Sequence, residues 1–250
     1  DRGSNTFNVL MIVGCSALVS PIIISKSTIH KDIPFAILAT LSLIVVSLDA
    51  VLDGGQFENL ISRTDGLMLL GLFAVFMFYT FSIARNKDGA GEQPQALQIA
   101  PMSYGRIFLY VILGLAGLVF GGNLFVDAAT EIALSMGVSE TVVGLTLVAA
   151  GTSLPELATS IVAARKGSSA IAIGNVVGSN IFNIFFVMGF CATVSPMPVG
   201  SISYFDLGLM LLSVLILWCF SYTKRTIERW EGGVMVAVYL VYLAYLIHQA

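Results

Sequence analysis

The sequence predicts an all-α polytopic membrane protein. Of its 250 residues, 57% are hydrophobic and only 11% are charged, whereas a soluble domain usually has about 25% charged residues. Apolar runs close to the ~17–25 residues that cross a bilayer recur along the chain. They predict eight transmembrane helices, which in chain order are residues 6–20, 34–52, 66–84, 105–126, 141–164, 171–194, 204–222 and 233–248.

The basic residues between the predicted helices fall almost entirely in odd-numbered connections. They are Lys26, Lys31, Arg85, Lys87, Arg106, Arg165, Lys166, Lys224, Arg225 and Arg229, and the even-numbered connections hold only Arg63. Because cytoplasmic loops of membrane proteins are enriched in Lys and Arg, the odd connections are expected in the cytoplasm. The C-terminus is then extracytoplasmic, in a multi-pass protein of the cell membrane.

An internal repeat relates two of the predicted helices. Residues 3–21 match residues 178–196 at a constant offset of 175, with ten identities in nineteen positions. The identities include Gly, Ser, Asn and Pro, which apolar composition alone does not supply. The first copy lies in span one and the second in span six, so the two copies cross the membrane in opposite directions. Inverted repeats with polar or broken helices near the midplane are typical of secondary transporters, and this is the predicted fold.

The repeat also predicts the organisation of the chain. Residues 1–85 form the first half, residues 86–103 form a polar cytoplasmic linker, and residues 104–250 form the second half. The segment Gly151–Glu156 of the second half has its expected counterpart before residue 1. The first half is therefore expected to lack two helices, which leaves eight helices of an expected ten.

The sequence Gly-Thr-Ser-Leu-Pro-Glu at residues 151–156 places a carboxylate inside an apolar segment. A charged side chain near the bilayer centre costs at least a few kcal/mol, so it indicates a functional group that faces a cavity or a partner. Pro155 has no N–H, so the helix must kink or break there and leave carbonyl oxygens free. These oxygens, the hydroxyls of Thr152 and Ser153 and the carboxylate of Glu156 are ligands of the kind that suit Na⁺ or Ca²⁺.

A second polar stripe follows in the next predicted helix. Asn175, Ser179 and Asn183 recur every four residues, with Asn180 beside them, so they share one helix face. Consecutive antiparallel helices can bring this stripe against the Glu156 motif. The alternative is that the amides and hydroxyls only form hydrogen bonds between packed helices, which leaves the Pro-Glu pair without an explanation.

The segments Gly151–Glu156 and Gly174–Asn183 resemble the second alpha-repeat of the calcium/cation antiporter superfamily, in its prokaryotic sodium/calcium exchanger branch. The similarity covers nearly the whole chain from Gly3. It implies a ten-helix antiporter that exchanges Na⁺ for Ca²⁺ at sites near the midplane. The cation site implied by the resemblance comprises Glu156 and Asn180 as metal ligands, with Thr152, Ser153, the Ala149 carbonyl and Asn5. The supporting polar stripe comprises Asn175, Ser179, Asn183, Asn8 and Ser4.

One departure from the family leaves the coupling ion open. Asn180 stands where some members carry Asp, so the Na⁺ stoichiometry and a role for H⁺ are undecided, and an H⁺/Ca²⁺ antiporter is the runner-up. An intramembrane enzyme with Glu156 as general base lacks an acid or base partner in the sequence. A cation channel is the third alternative, and saturable counterflow would exclude it.

The expected partners follow from this interpretation. They are small inorganic cations, with Ca²⁺ and Na⁺ as the transported ions, and the lipid bilayer. No cofactor is expected, because the sequence has no Gly-rich phosphate loop of the Walker type. No nucleic-acid partner is expected either, and the sequence does not indicate an oligomeric state.

Overall fold

The computed structural model describes residues 2–49, 60–85, 102–135, 137, 143, 151–199 and 204–249. These residues form eight helices and two short antiparallel ribbons. The helices are α1 (residues 2–19), α2 (Thr28–Ser47), α3 (Arg63–Arg85), α4 (Tyr104–Ser135), α5 (Leu154–Arg165), α6 (Ser169–Val194), α7 (Tyr204–Tyr222) and α8 (Arg229–Gln249). The strands are β1 (Ile22–Ile23), β2 (Leu60–Ile61), β3 (Met197–Pro198) and β4 (Thr226–Ile227).

The helices follow the predicted order of spans. Six of them are long and apolar enough to cross a membrane, and α1 contains a shorter apolar helix, Gly3–Val19. The helix α5 is described from Leu154, and most of the preceding part of its predicted span lies outside the described residues. Most of the predicted linker, residues 86–103, also lies outside them, so the division into two halves stays a prediction. Helices suit the membrane interior because their backbone N–H and C=O groups form hydrogen bonds within the helix.

The two repeated helices have the same irregular backbone. In α1 the α-helix changes to a π-helix at Asn8–Ile12, and in α6 it changes at Phe182–Met188, which includes the equivalent repeat positions. Both helices then return to α geometry and end at an extended serine, Ser20 or Ser195, before a short strand. Single π-helical turns are rare and are often found at functional sites. The sequence repeat is therefore also a repeat of local structure.

The two copies are antiparallel, as predicted. The side chain of Asn5 bonds to Asn183, and that of Asn8 bonds to Asn180, so the residue numbers rise along α1 as they fall along α6. The strands that follow these helices, β1 and β3, therefore lie at opposite ends of the helix pair. The strand β1 pairs with β4 and β3 pairs with β2, both antiparallel.

Glycine contacts tie each repeated helix to a further helix. Gly14 of α1 packs against Gly232 of α8, and its repeat counterpart Gly189 of α6 packs against Gly66 of α3. A Cβ built on Gly232 would lie 2.7 Å from the carbonyl oxygen of Gly14, and a Cβ built on Gly66 would lie 2.7 Å from that of Gly189. Only small residues allow two helix backbones to approach so closely. The core is formed by both repeated helices together with α2 and α7, and its fully buried side chains include Leu10, Ile12, Ile181 and Phe185.

We predict that Gly232→Ala destabilises the protein whereas Gly233→Ala does not. The new methyl group at residue 232 would also lie 2.8 Å from the Cβ of Ala17, while at residue 233 it meets only a leucine methyl group at 3.8 Å. Overpacking of this kind costs about 1–3 kcal/mol. Thermal unfolding of both variants in detergent measures the difference. Equal melting temperatures would contradict the close α1–α8 contact.

Candidate functional site

The predicted break near Pro155 is present. Ser153 is not helical (φ −103°, ψ 4°), and α5 begins at Leu154 with Pro155 in its first turn. Proline is tolerated there because the first N–H groups of a helix have no intrahelical acceptor. Glu156 is next in the same turn. The partial positive charge at a helix N-terminus favours a negative side chain at this place.

The long helix α4 packs against this break. A Cβ built on Gly151 would overlap the side chain of Val126, and a Cβ built on Gly122 would lie 3.9 Å from Leu154 and 4.0 Å from Pro155. The close contact therefore requires glycine at residue 151, whereas the space at Gly122 would admit a Cβ at ordinary van der Waals distance. The motif glycine thus has a packing role against Val126.

A serine pair joins the break to α1. The hydroxyl oxygens of Ser4 and Ser153 are 2.6 Å apart, which is a short hydrogen bond. Both side chains are buried, with exposed fractions of 7% and 1%. Ser153 precedes α5 but makes no side-chain capping bond to it. Its hydroxyl therefore connects the Gly151–Glu156 motif to the repeated helix α1.

Four asparagines connect α1 to α6. The amide of Asn8 donates to the Asn180 side-chain oxygen and to the Ser179 hydroxyl, each at 3.2 Å. The amide of Asn183 donates to the Asn5 side-chain oxygen at 3.2 Å. The amide of Asn180 donates to the Asn5 backbone carbonyl, also at 3.2 Å. Because Asn5 and Asn180 are repeat counterparts, as are Asn8 and Asn183, the network is close to twofold symmetric.

Two buried oxygens in this region accept no hydrogen bond within the described part of the chain. They are Oε2 of Glu156 and Oδ1 of Asn8. A buried acceptor without a partner costs about 1–3 kcal/mol, and more when it is charged, so each one requires an explanation. No described basic side chain forms an ion pair with Glu156. The helices that carry these oxygens, α5 and α1, pack against each other. Cations are among the groups that such carboxylate and amide oxygens bind.

The structure brings most of the predicted residues together through hydrogen bonds. Those linked across helices are Ser4, Asn5, Asn8, Ser153, Asn175, Ser179, Asn180 and Asn183. Thr152 is exposed on the turn before α5, and Ala149 lies outside the described residues. Asn8 was expected only in the supporting stripe, but it has a free oxygen. The assignment of ion ligands among these residues stays a prediction.

A second pair of equivalent segments was not predicted from the sequence. Ile61–Gly66 and Ile227–Gly232 share isoleucine, arginine, an acidic residue and glycine at the same spacing. In each, the acidic side chain, Asp65 or Glu231, accepts a hydrogen bond at 2.8 Å from the backbone N–H three residues earlier. This is the acidic half of a capping box, and it fixes the starts of α3 and α8. The two segments are offset by 166 residues rather than 175, so the offset of the first repeat does not align them.

The fold and the site define an inverted-repeat membrane protein with a polar centre between its repeated helices. The chain belongs to the sodium/calcium exchanger protein family, whose model matches residues 2–82 and 106–248. That match covers both sides of the predicted linker. The class and the family predicted from the two motifs are confirmed.

Named relatives cover most of the chain. It is 34% identical over 252 residues to the inner membrane protein YrbG of Escherichia coli, which is 98% of this chain and 74% of that protein. It is 34% identical over 247 residues to the putative antiporter CaxA of Alkalimonas amylolytica, covering 96% of this chain and 75% of the relative. The sodium/calcium exchanger MaX1 of Methanosarcina acetivorans is 40% identical over 146 residues, covering 58% of this chain and 42% of the relative.

A solved structure shares the fold. The sodium-calcium exchanger NCX_Mj, soaked with 10 mM Na⁺ and no Ca²⁺, matches with a TM-score of 0.73 and 31% identity. The match covers 97% of this chain and 74% of that structure. The all-α transporter fold expected from the repeat is therefore confirmed.

We predict that Asn180→Val destabilises the protein more than Asn183→Val. Asn180 is buried and makes two bonds to α1, whereas Asn183 is half-buried and makes one. Hydrogen bonds between membrane helices contribute about 0.6 kcal/mol on average and up to about 1.7, so the loss for Asn180 is about 1–3 kcal/mol. Thermal unfolding in detergent without Na⁺ or Ca²⁺ measures both variants, and the reverse order of stability would contradict this network.

Proposed function

We propose that this protein is a secondary antiporter that exchanges Na⁺ for Ca²⁺ by alternating access, with the cations bound around Glu156. The observation that carries the proposal is the pair of buried, unpartnered oxygens on Glu156 and Asn8. They lie on opposite sides of the predicted linker, residues 86–103. Secondary transporters bind their substrates at such a repeat interface.

The proposed ligands are all oxygens. Glu156 supplies the carboxylate, Asn8, Asn180 and Asn5 supply amides, and Thr152, Ser153 and Ser4 supply hydroxyls, with the Ala149 carbonyl as a further ligand. Ca²⁺ binds six to eight such oxygens, so this chemistry suits it. Within the described chain no group of three or more His, Cys, Asp and Glu side chains is close enough to hold a metal. A softer transition-metal site therefore has no support among those residues.

Exchange of Na⁺ for Ca²⁺ follows if both ions require the Glu156 carboxylate. Two cations that require the same carboxylate compete for it, so a bound Ca²⁺ and a bound Na⁺ oppose each other's occupancy. Alternating access then allows one ion to leave on one side and the other ion to enter there. A relative in this family is named a sodium/calcium exchanger, and the matching solved structure was determined with Na⁺, Sr²⁺ or Ca²⁺ soaks. These names support the choice of ions.

The proposed orientation places the β1–β4 ribbon in the cytoplasm. That end carries Lys26, Lys224 and Arg225, which are exposed. Cytoplasmic loops are enriched in such residues, so the linker is cytoplasmic and the C-terminus is extracytoplasmic. The relative from Escherichia coli is named an inner membrane protein, which supports the cell membrane as the location.

An enzymatic role is the weaker alternative. A general base usually acts with a second acid, base or metal. Among the described residues, no such group of acids, histidines or cysteines surrounds Glu156. The proposal is therefore that the protein moves ions without chemical conversion.

We predict that Glu156→Gln abolishes Na⁺-driven Ca²⁺ uptake by the full-length protein in proteoliposomes. The amide keeps the size of the side chain but removes the charge that compensates Ca²⁺. Thr159→Val is the matched control, because its exposed hydroxyl bonds only to the Pro155 carbonyl of the same helix. Uptake at the wild-type rate by the Glu156→Gln protein would refute the mechanism.

The coupling ion is tested separately. At fixed and equal pH on both sides, an outward Na⁺ gradient is expected to drive Ca²⁺ uptake into vesicles that hold the wild-type protein. An H⁺/Ca²⁺ antiporter would instead respond to a pH gradient imposed without Na⁺. Uptake that follows the pH gradient alone would replace the first assignment by the second. Saturation of uptake with rising Ca²⁺ distinguishes both from a channel.

A further inference from the structure

The amide of Asn175 contacts the backbone of the residue that carries the proposed ligand. Its nitrogen donates to the Glu156 carbonyl oxygen at 3.3 Å and to the Ser160 hydroxyl at 3.1 Å. Ser160 is fully buried, and its hydroxyl donates in turn to the Ala172 carbonyl at 3.4 Å. These bonds connect the first two turns of α5 to the first turns of α6.

Both hydrogen-bond donors of the Asn175 side chain are used in this contact. A side-chain amide nitrogen has two hydrogens, and here each has one acceptor. The Glu156 carbonyl can accept from Asn175 as well as from its own helix, because a carbonyl oxygen has two lone pairs. The two hydrogen bonds require both N–H donors of the Asn175 side chain, so a residue that lacks these donors cannot form them.

The N-terminal end of α5 has no side-chain cap of its own. The side chain of Ser153 would ordinarily cap this end, but it makes no capping bond and pairs with Ser4 instead. Pro155 contributes no N–H. The Asn175 contact thus falls on the turn of α5 that its own cap does not fix.

Asn175 also lies on the polar stripe of α6. Ser179 and Asn183 follow it at one and two helical turns, and both bond to α1. The same helix face therefore holds α1 on one side and the Glu156 turn on the other. The distance between the Glu156 carboxylate and the side-chain amides of α1 therefore depends on how this face of α6 packs.

We propose that Asn175 is a positioning residue for cation binding, which fixes the Glu156 turn of α5 against α6 without contacting the ion. This inference rests on the proposed function. Binding sites tolerate displacements of only about 0.5 Å before affinity falls. Substitution of Asn175 leaves the Glu156 carboxylate unchanged but removes the contact that holds its helical turn against α6.

The test compares cation affinity with maximal rate. We expect Asn175→Ala to raise the KM for Ca²⁺ about 5- to 20-fold in proteoliposomes, with the maximal rate close to wild type. The cation-free melting temperature is expected to fall by no more than it does for Asn180→Val, because both substitutions remove two interhelical hydrogen bonds. Direct Ca²⁺ titration of the purified protein is expected to show the same loss of affinity. Asn175→Leu, which keeps most of the volume, is expected to behave alike. Asn123→Ala is the control, since this asparagine is exposed on α4 and makes no described bond.

A double-mutant cycle tests the partner. Ser160→Ala is expected to raise the KM less than Asn175→Ala, and the combined variant to be no worse than Asn175→Ala alone, because the two residues share one network. Additive effects would contradict the network.

Three results would overturn the positioning role. The first is a wild-type Ca²⁺ affinity in both Asn175 variants, the second is a lower melting temperature without a change in affinity, and the third is failure of both variants to fold. Glu156→Gln in the same assay separates the proposals. If it still transports, the proposed function fails; if it is inactive while the Asn175 variants bind Ca²⁺ normally, only the positioning role fails.

Discussion

The antiparallel contact between α1 and α6 is the interaction on which the rest of the structure depends. Its hydrogen bonds join Asn5 and Asn8 to Asn180 and Asn183, all within apolar surroundings. In lipid there is no hydrophobic gain from joining two helices, so packing and interhelical hydrogen bonds hold them together. Because this contact fixes the antiparallel direction, it also fixes the opposite positions of the two ribbons. The glycine contacts to α3 and α8 then repeat on each side.

Much of this architecture could be predicted from the sequence, because the repeat is visible in Gly, Ser, Asn and Pro rather than in interchangeable apolar residues. The broken helix before Glu156 followed from Pro155 alone. Helix ends were less predictable. The fourth span was expected to end at residue 126 because Asp127 and Glu131 follow, but α4 continues to Ser135. Hydropathy reports where lipid ends, and a helix can continue into water.

The details of the site required the structure. The sequence predicted Asn180 as a ligand and Asn8 as part of the supporting polar stripe, but it could not show which amide oxygen remains free. That depends on which partners the packed faces supply: Asn180 accepts from Asn8, while Asn8 accepts from no described donor. The role of Ser153 was similarly hidden, because its hydroxyl turns from its own helix to Ser4. The second pair of repeated segments was missed because the two halves have connections of different length.

The symmetry of the inverted repeat explains why the residues at the α1–α6 contact are asparagines. In an inverted repeat, residues near the twofold axis meet their own copies, as the side chain of Asn180 meets the backbone of Asn5. Two aspartates would repel there, and two lysines would as well, but asparagine is both donor and acceptor and can bond to a copy of itself. Such a network leaves some amide oxygens with unused acceptor capacity. The residue type that lets the two repeats meet is thus also a suitable neutral ligand for a cation beside the Glu156 carboxylate.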